Sequence, residues 1–410
     1  MHLPESHGRP PAHRGVSSGD SAVFAGCGMW RHRLEIGLLL AALLLAKPRR
    51  ARAENAISYK YEDYREANGR VAVQAQYGLV EQDLGTDMHL KLLAVTDAIA
   101  GATPNGQPPT TLGGDVPLSK MHDRRKAWNA DISRQFSRVN IDLGASNSRE
   151  SDYVSDGWSL NMLTDFNQKN TILLLGVAHN DDKVKVFYQL PLEGKKTTDF
   201  VAGITQLLDP RTSVSVNAGY GSISGYLGDP YRVVLKTVEI IPGLFLPRTG
   251  GENRPRTKDQ WTVSLLANRA YPDLNGALEA GYRLYRDTFG TTAHTVDLAW
   301  FHKISEHLTL RAGLRLYQQS AAEFYYISLD GTSIPLTVTP NPAGPFYSSD
   351  YRLSAFRSFD YSLKAIWKFN ESWQVDATID QYEMRGRDGI TSPSAYPRAS
   401  NTTFGIKFGW

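Results

Sequence analysis

The sequence predicts an all-β fold: a transmembrane antiparallel up-and-down β-barrel of about 16 strands (range 14–18), with short periplasmic turns and long outer loops. Three observations predict it. Apolar and polar residues alternate with period 2 almost without interruption after residue 54. The alternating segments run to roughly 10–15 residues, against about 5–6 in soluble sheets. The connections between them are tight at every second position. Successive side chains of a strand point to opposite faces, so each segment has one apolar and one polar face. A soluble antiparallel sandwich shares that alternation. Segment length decides for the membrane, because a tilted strand crosses a bilayer in about 9–11 residues.

The elements follow in chain order. Residues 1–28 read as an upstream extension from a misplaced start. Residues 29–53 read as a cleavable signal peptide: Arg31-His-Arg33, the apolar run Ile36–Ala46, a basic Lys47-Pro-Arg-Arg50, and small residues at Ala51 and Ala53. The apolar run falls short of the ~20 residues a spanning helix needs. Phe24-Ala-Gly-Cys27 resembles a lipoprotein box but has no apolar run before it. Cys27 is the only cysteine, which excludes an intramolecular disulfide and a cysteine metal cluster. Residues 54–410 form the barrel.

Its strands read as 56–64, 69–82, 86–97, 126–136, 138–151, 154–166, 170–182, 197–208, 211–225, 258–269, 275–288, 292–303, 307–321, 355–369, 372–385 and 402–410. Trp373, Val375, Ala377 and Ile379 alternate with Gln374, Asp376, Thr378 and Asp380, and Trp261, Val263, Leu265 and Ala267 repeat the pattern. The first strand is the most polar. Tight connections fall at 83–85, 137, 167–169, 209–210, 271–274, 305–306 and 370–371; the long ones, 98–125, 183–196, 226–257, 322–354 and 386–401, all fall between them. Trp261, Trp300, Trp367, Trp373 and Tyr77 stand near segment ends, where interfacial girdles belong. At the C-terminus Phe404, Ile406, Phe408 and Trp410 alternate with polar or small residues. That pattern resembles the signal read by the barrel-assembly machinery. Lys plus Arg number 45 against 42 Asp plus Glu, a balance that points to no nucleic-acid partner. The expected surroundings are outer-membrane lipid and lipopolysaccharide.

Several longer stretches carry a family resemblance: 96–106 (TDAIAGATPNG), 123–128 (DRRKAW), 146–157 (SNSRESDYVSDG), 228–234 (GDPYRVV), 282–296 (YRLYRDTFGTTAHTV) and 315–326 (RLYQQSAAEFYY). Together they resemble the uncharacterised bacterial outer-membrane family catalogued as domain of unknown function 3570. The resemblance implies the same barrel and location in the bacterial outer membrane, but supplies no activity.

Chemistry is sought first on the polar phase. Asp142, Asp165, Glu279, Arg283, Asp297, Arg311, Arg315, Lys364, Lys368, Asp376, Asp380 and Lys407 are expected to line the lumen. A barrel of this size encloses an aqueous interior. The charges suit either a channel with a transverse field or a wall stiffened by ion pairs around folded-in loops. Among the loops, Gly228-Asp-Pro-Tyr231 reads as a rigid turn. No Gly-x-Ser-x-Gly elbow, His-Glu-x-x-His or phosphate-binding glycine loop occurs, so no enzyme is expected. His294 and His302 fall on the apolar phase, where packing at the membrane interface is the expected role for them and for His307.

Asp97-Ala-Ile-Ala-Gly-Ala-Thr103 resembles the signal for covalent FMN attachment: aspartate, two variable residues, Ser or Thr, then Gly-Ala-Thr. The resemblance makes Thr103 the acceptor, with Asp97, Gly101 and Ala102 read by an FMN transferase. Ala100 departs from the pattern. The plainer reading ends the third strand near Asp97 and makes 101–106 a turn-rich loop entry. The leading expectation is an integral outer-membrane barrel without a cofactor, passing small solutes or serving structurally. Two alternatives stand beside it: an FMN-bearing scaffold for extracytosolic electron transfer, and a surface protein acting through its outer loops.

Overall fold

The structure, a computed structural model, describes residues 55–111, 113–186, 192–337 and 339–410. The expected extension and signal peptide, and Cys27, lie outside the described residues. The strands are β1 (Ala56–Glu66), β2 (Ala72–Asp83), β3 (Met88–Pro104), β4 (Leu118–Phe136), β5 (Val139–Arg149), β6 (Tyr153–Phe166), β7 (Thr171–Val184), β8 (Glu193–Asp209) and β9 (Thr212–Gly225). They continue with β10 (Val233–Ile241), β11 (Leu244–Gly251), β12 (Thr257–Tyr271), β13 (Gly276–Asp287), β14 (Thr292–Lys303), β15 (Leu308–Gln319), β16 (Phe356–Lys368), β17 (Trp373–Gly386) and β18 (Arg398–Gly409).

Sixteen of them close into one antiparallel barrel in sequence order, with β9 pairing β12 and β18 pairing β1. Closure leaves no free edge to recruit another chain. The polar first strand is a full member, pairing β18 from Ala56↔Gly409 to Glu66↔Ala399. Among the described residues no helix is long and apolar enough to cross a membrane.

The two strand faces separate cleanly. Large apolar residues exposed on the barrel include Trp158 and Leu160 on β6, Trp261, Val263 and Leu265 on β12, and Tyr361 and Leu363 on β16. All share one phase, the outer one. The opposite phase carries the ion pairs and hydrogen bonds of the interior. Trp261, Trp300, Trp367 and Trp373 keep to the outer phase. Tyr77 does not: it pairs with Lys60 across β1–β2, its hydroxyl donates to Glu62 at 3.0 Å, and Lys60 Nζ lies 5.0 Å from its ring. A tyrosine near a strand end serves either face, and here the Glu62 carboxylate decides.

Every connection at one end of the barrel is tight, and both ends of the described chain lie there, where the Trp410 amide donates to the Asn55 carbonyl at 3.1 Å. Every long one leaves the other, which we term the outer end. Two elements extend beyond the sequence reading. β3 and β4 run past the expected strand, pairing as far as Pro104↔Leu118. The 226–257 connection contains a separate hairpin, β10–β11. Its Pro242-Gly243 turn and Pro247 break the strand signature, because proline is confined to edge positions.

Candidate functional site

Among the described residues, the largest fully buried side chains lie in the outer loops. Tyr347, Leu329 and Val234 are 0 % exposed and pack together from two connections, β9–β12 and β15–β16. A second cluster joins Ile223 and Leu227 to Phe289, Ala322 and Phe324. A third joins Val116, Tyr351, Phe356, Met384, Ala395 and Tyr396, drawing in the β3–β4 and β17–β18 connections. These loops therefore share a core of their own.

At its centre is a buried ion network of three arginines and three carboxylates, Arg232, Arg254, Arg352, Asp229, Glu252 and Asp350. Arg254 pairs with Glu252 at 2.8 Å and with Asp350 at 2.9 Å. Arg352 pairs with Asp350 at 2.6 Å and also contacts Asp229. Arg232 stands 3.5 Å from Asp229 and 3.7 Å from Asp350. Isolated charges could not be buried this deeply, and only mutual pairing makes the arrangement tenable. The loops hold the partners in place by local turns. Asp229 Oδ1 accepts from the Tyr231 amide at 2.9 Å, so Gly228-Asp-Pro-Tyr231 is a pinned turn. Asp350 accepts from the Arg352 amide at 3.1 Å, and Gln319 Nε2 donates to the Arg352 and Ser354 carbonyls, both at 2.9 Å.

The electrostatics follow from the pairing. Burial by itself pushes the Asp229 and Asp350 carboxyls up; Arg232 and Arg352 outweigh it and hold both below the usual carboxylate range. Glu252 goes the other way, because burial outweighs the pull of Arg254.

Arg232 also ties this network to the barrel wall. Its Nη2 donates to Thr103 Oγ1 at 3.1 Å, and its Nη1 donates to the Pro104 carbonyl. The Val233 amide donates to the Asn105 carbonyl at 2.8 Å. In the ring β3 is six places from β9 and six from β15. Strands so separated in a sixteen-strand barrel stand roughly 30 Å apart across the lumen. For β3, the β9–β10 connection and the β15–β16 connection to meet at one arginine, the loops must bridge the outer mouth.

The four residues of the flavin-like stretch are all placed in this frame. The stretch is strand, not the turn-rich entry expected: β3 continues to Pro104 because β4 pairs with it throughout. Asp97 is buried and bonds Arg125 at 2.7 Å. Gly101 has φ +131°, and a side chain there would collide with the Arg70 carbonyl of the β1–β2 turn. Ala102 lies on the outer phase. Thr103 is 5 % exposed, beneath Arg232.

The residues expected to line the lumen stand on the inner phase, mostly in pairs with opposite charges or amides. Arg315 binds Asp297 at 2.6 Å, Lys364 binds Asp376 at 2.8 Å, and Arg311 lies 3.7 Å from Glu279. Lys169 approaches Asp165 at 3.6 Å and Lys407 approaches Glu81 at 3.5 Å. Asn161 donates to Asp142 at 3.0 Å, Asn401 to Asp380 at 3.3 Å, and Arg283 to Thr295 at 3.4 Å. Lys368 sits at the tight-turn end, opposite Gln374. Phe404, Ile406 and Phe408 line the outer phase of β18, and Phe408 packs on Trp373 at 4.7 Å and on Trp410 at 5.9 Å.

The histidines do not converge. His294 and His302 are eight residues apart on β14, roughly 26 Å along a strand. His294 bonds Tyr282 Oη at 2.8 Å, and His307 stacks on Trp367. The ion network itself was missed from sequence. Its six members are divided between two loops that also carry other charges, such as Glu239, Arg248 and Asp330, so no local pattern marks them.

Three solved structures share the fold at low sequence identity. One is a bacterial polysaccharide outer-membrane secretin, at 8% identity and TM-score 0.48, over 88% of this chain and 99% of that one. Another is a loop-deletion mutant of OmpT, an outer-membrane protein of Vibrio cholerae, at 8% identity and TM-score 0.43, over 87% and 99%. A third is the siderophore receptor PirA from Pseudomonas aeruginosa, at 10% identity and TM-score 0.44, over 87% of this chain but only 62% of the receptor. The chain thus spans about three fifths of that receptor's length. Each likeness extends to barrel architecture only. No curated protein matches. The family model described as a protein of unknown function (DUF3570) matches residues 38–116, 110–193 and 187–397, most of the sequence. The cap and the wall that anchors it, Asp97 to Thr103, Asp229 to Arg232 and Gln319, fall inside those matches, and the chain belongs to that family.

Proposed function

We propose that this protein is an integral barrel of the bacterial outer membrane whose outer mouth is held shut by its own loops, and that small solutes pass when those loops move. The observation that carries the reading is the bridge at Arg232, which joins β3 to two connections from the far side of the ring. The apolar outer phase with its tryptophans suits a bilayer. The paired charges of the inner phase suit a narrow, stiff-walled path rather than a broad open channel.

Planar-bilayer recording tests it. The wild-type barrel should give few and small conductance steps, and the double variant Arg232→Met/Asp350→Asn should give frequent steps of a size fitting a sixteen-strand lumen. Large steps from the wild type would overturn the closed cap. No steps from a folded, inserted double variant would reduce the protein to a structural barrel.

A further inference from the structure

The hairpin β10–β11 stands apart from everything else in the loops. Its root is fixed. Val234 is fully buried, Lys236 Nζ donates to the Thr332 carbonyl at 2.9 Å and to that of Ile334, and the Leu329 amide donates to the Leu235 carbonyl at 2.8 Å. Its tip is bare. Ile240, Ile241, Leu244, Phe245 and Leu246 are between 41% and 60% exposed. Residues 240–247, Ile-Ile-Pro-Gly-Leu-Phe-Leu-Pro, contain no charge. Exposed apolar patches of this kind mark contact with a partner or a membrane.

Three features choose the membrane. First, apolar side chains stand on both faces of the ribbon, and Glu239 is the one charge in residues 237–247. Val238 opposes Leu246, while Phe245 opposes Glu239 on the other face and Ile241 opposes Leu244 at the turn. A protein surface covers one face of a ribbon; acyl chains cover both. Second, the backbone is prepared for an apolar medium, where each unmet donor costs several kcal/mol. Pro242 and Pro247 have no N–H, the strands pair with each other, and the Gly243 amide donates to Glu239 Oε1 at 2.8 Å. Third, Arg248 is exposed directly beside the tip, where it suits a lipid phosphate.

The root also lies at the rim. Tyr231, two residues before β10, donates its hydroxyl to Asp152 in the β5–β6 connection. Trp158, on the outer phase of β6, follows six residues later, about 20 Å along the strand.

We propose that the β10–β11 tip is an anchor that inserts into the outer leaflet of the membrane around the barrel, with Arg248 at the phosphate level. The inference rests on the outer-membrane reading above. Inserted, the tip would tether the β9–β12 connection, and so the cap, to the bilayer.

The test uses the full chain with Cys27→Ser, labelled with an environment-sensitive fluorophore at Phe245→Cys and reconstituted in nanodiscs containing a lipid with a quencher on its acyl chain. A second protein labelled at Leu363→Cys, on the outer phase of β16, reports barrel insertion by itself. Quenching at both sites, with loss of the hairpin signal when Ile241→Glu is added, is the expected result. Quenching at 363 but not at 245 overturns the anchor and leaves the barrel reading intact. No quenching at 363 overturns the barrel reading itself. Shielding of 245 that appears only on adding separate vesicles, or only with barrel-to-barrel crosslinks, also overturns insertion into the surrounding leaflet.

Discussion

Arg232 Nη2 donates to Thr103 Oγ1 at 3.1 Å across 129 residues of sequence. The same guanidinium faces Asp229 and Asp350, so one side chain connects the wall of the barrel to two loops that reach it from the far side of the ring. It is 3% exposed. A residue so placed is a clasp, and the cap should respond to its loss.

Arg232→Met keeps the aliphatic bulk and removes the charge. Breaking a buried ion pair from one side costs about 3–5 kcal/mol, because the abandoned carboxylates stay buried. The cost falls on the cap, since the barrel ladders do not include Arg232. Limited proteolysis on intact vesicles should cut the 226–257 and 322–354 connections at least tenfold faster than in the wild type, while heat-modifiable migration of the barrel stays unchanged. Equal cutting rates would show that the apolar clusters hold the loops without the clasp.

The carboxylates set the pH behaviour. Asp229 and Asp350 are held below the usual range, with Arg232 and Arg352 overcoming the effect of burial. A depressed carboxyl contributes stability that is present above its unfolded value, near 4, and lost as pH falls through the folded one. The cap should therefore stay closed from neutrality down to about pH 4 and open only below it. Glu252, raised chiefly by burial, has the opposite sign: its contribution is full below its unfolded value and is lost as pH rises through the folded one. Glu252→Gln removes that titration but also one partner of the buried Arg254, so it should raise the opening frequency while taking away the part of the pH dependence that Glu252 supplies. Conductance recorded between pH 7 and pH 3 checks both, and Asp350→Asn should open the cap at neutrality.

The barrel was legible because a membrane strand writes its two faces into alternate residues. All sixteen strands follow from period and turn spacing, within a few residues at most ends. The discrepancies are where pairing continues above the bilayer. β3 beyond Asp97 has alanines on its outer phase, no longer needs an apolar face, and so loses the alternation that marks a strand. The hairpin was hidden by Pro242, Gly243 and Pro247. The ion network was hidden for another reason: Asp229, Arg232, Glu252, Arg254, Asp350 and Arg352 are spread over two loops, and no local pattern tells a buried loop charge from a solvated one.

The flavin-like stretch gains a structural account that bears on its modification. Asp97 holds Arg125, Gly101 admits the Arg70 carbonyl, and Thr103 receives Arg232. With the hydroxyl beneath a buried guanidinium, a transferase has no access to it in the closed state. The folded, reconstituted barrel incubated with an FMN transferase and flavin dinucleotide should show no added mass, and the same spectrum should come from Thr103→Ala. Added mass that vanishes in Thr103→Ala would mean the cap opens widely enough to admit an enzyme.

Selectivity should be read with the clasp removed. On the inner phase Asp297 is opposed by Arg315 at 2.6 Å, and its strand β14 lies between β13, with Arg283, and β15, with Arg311 as well. Arg311 has its own carboxylate, Glu279. Asp297→Asn leaves Arg315 without its anion on a half-exposed wall, where the pair contributes little to stability but the freed charge acts on passing ions. In the Arg232→Met background, the reversal potential in a salt gradient should move toward anion preference, and Arg315→Gln should move it the other way. The shifts should shrink as salt rises from 0.1 M to 1 M, because the screening length falls from about 10 Å to about 3 Å. Unchanged potentials in both variants would place the conducting path away from this sector of the wall.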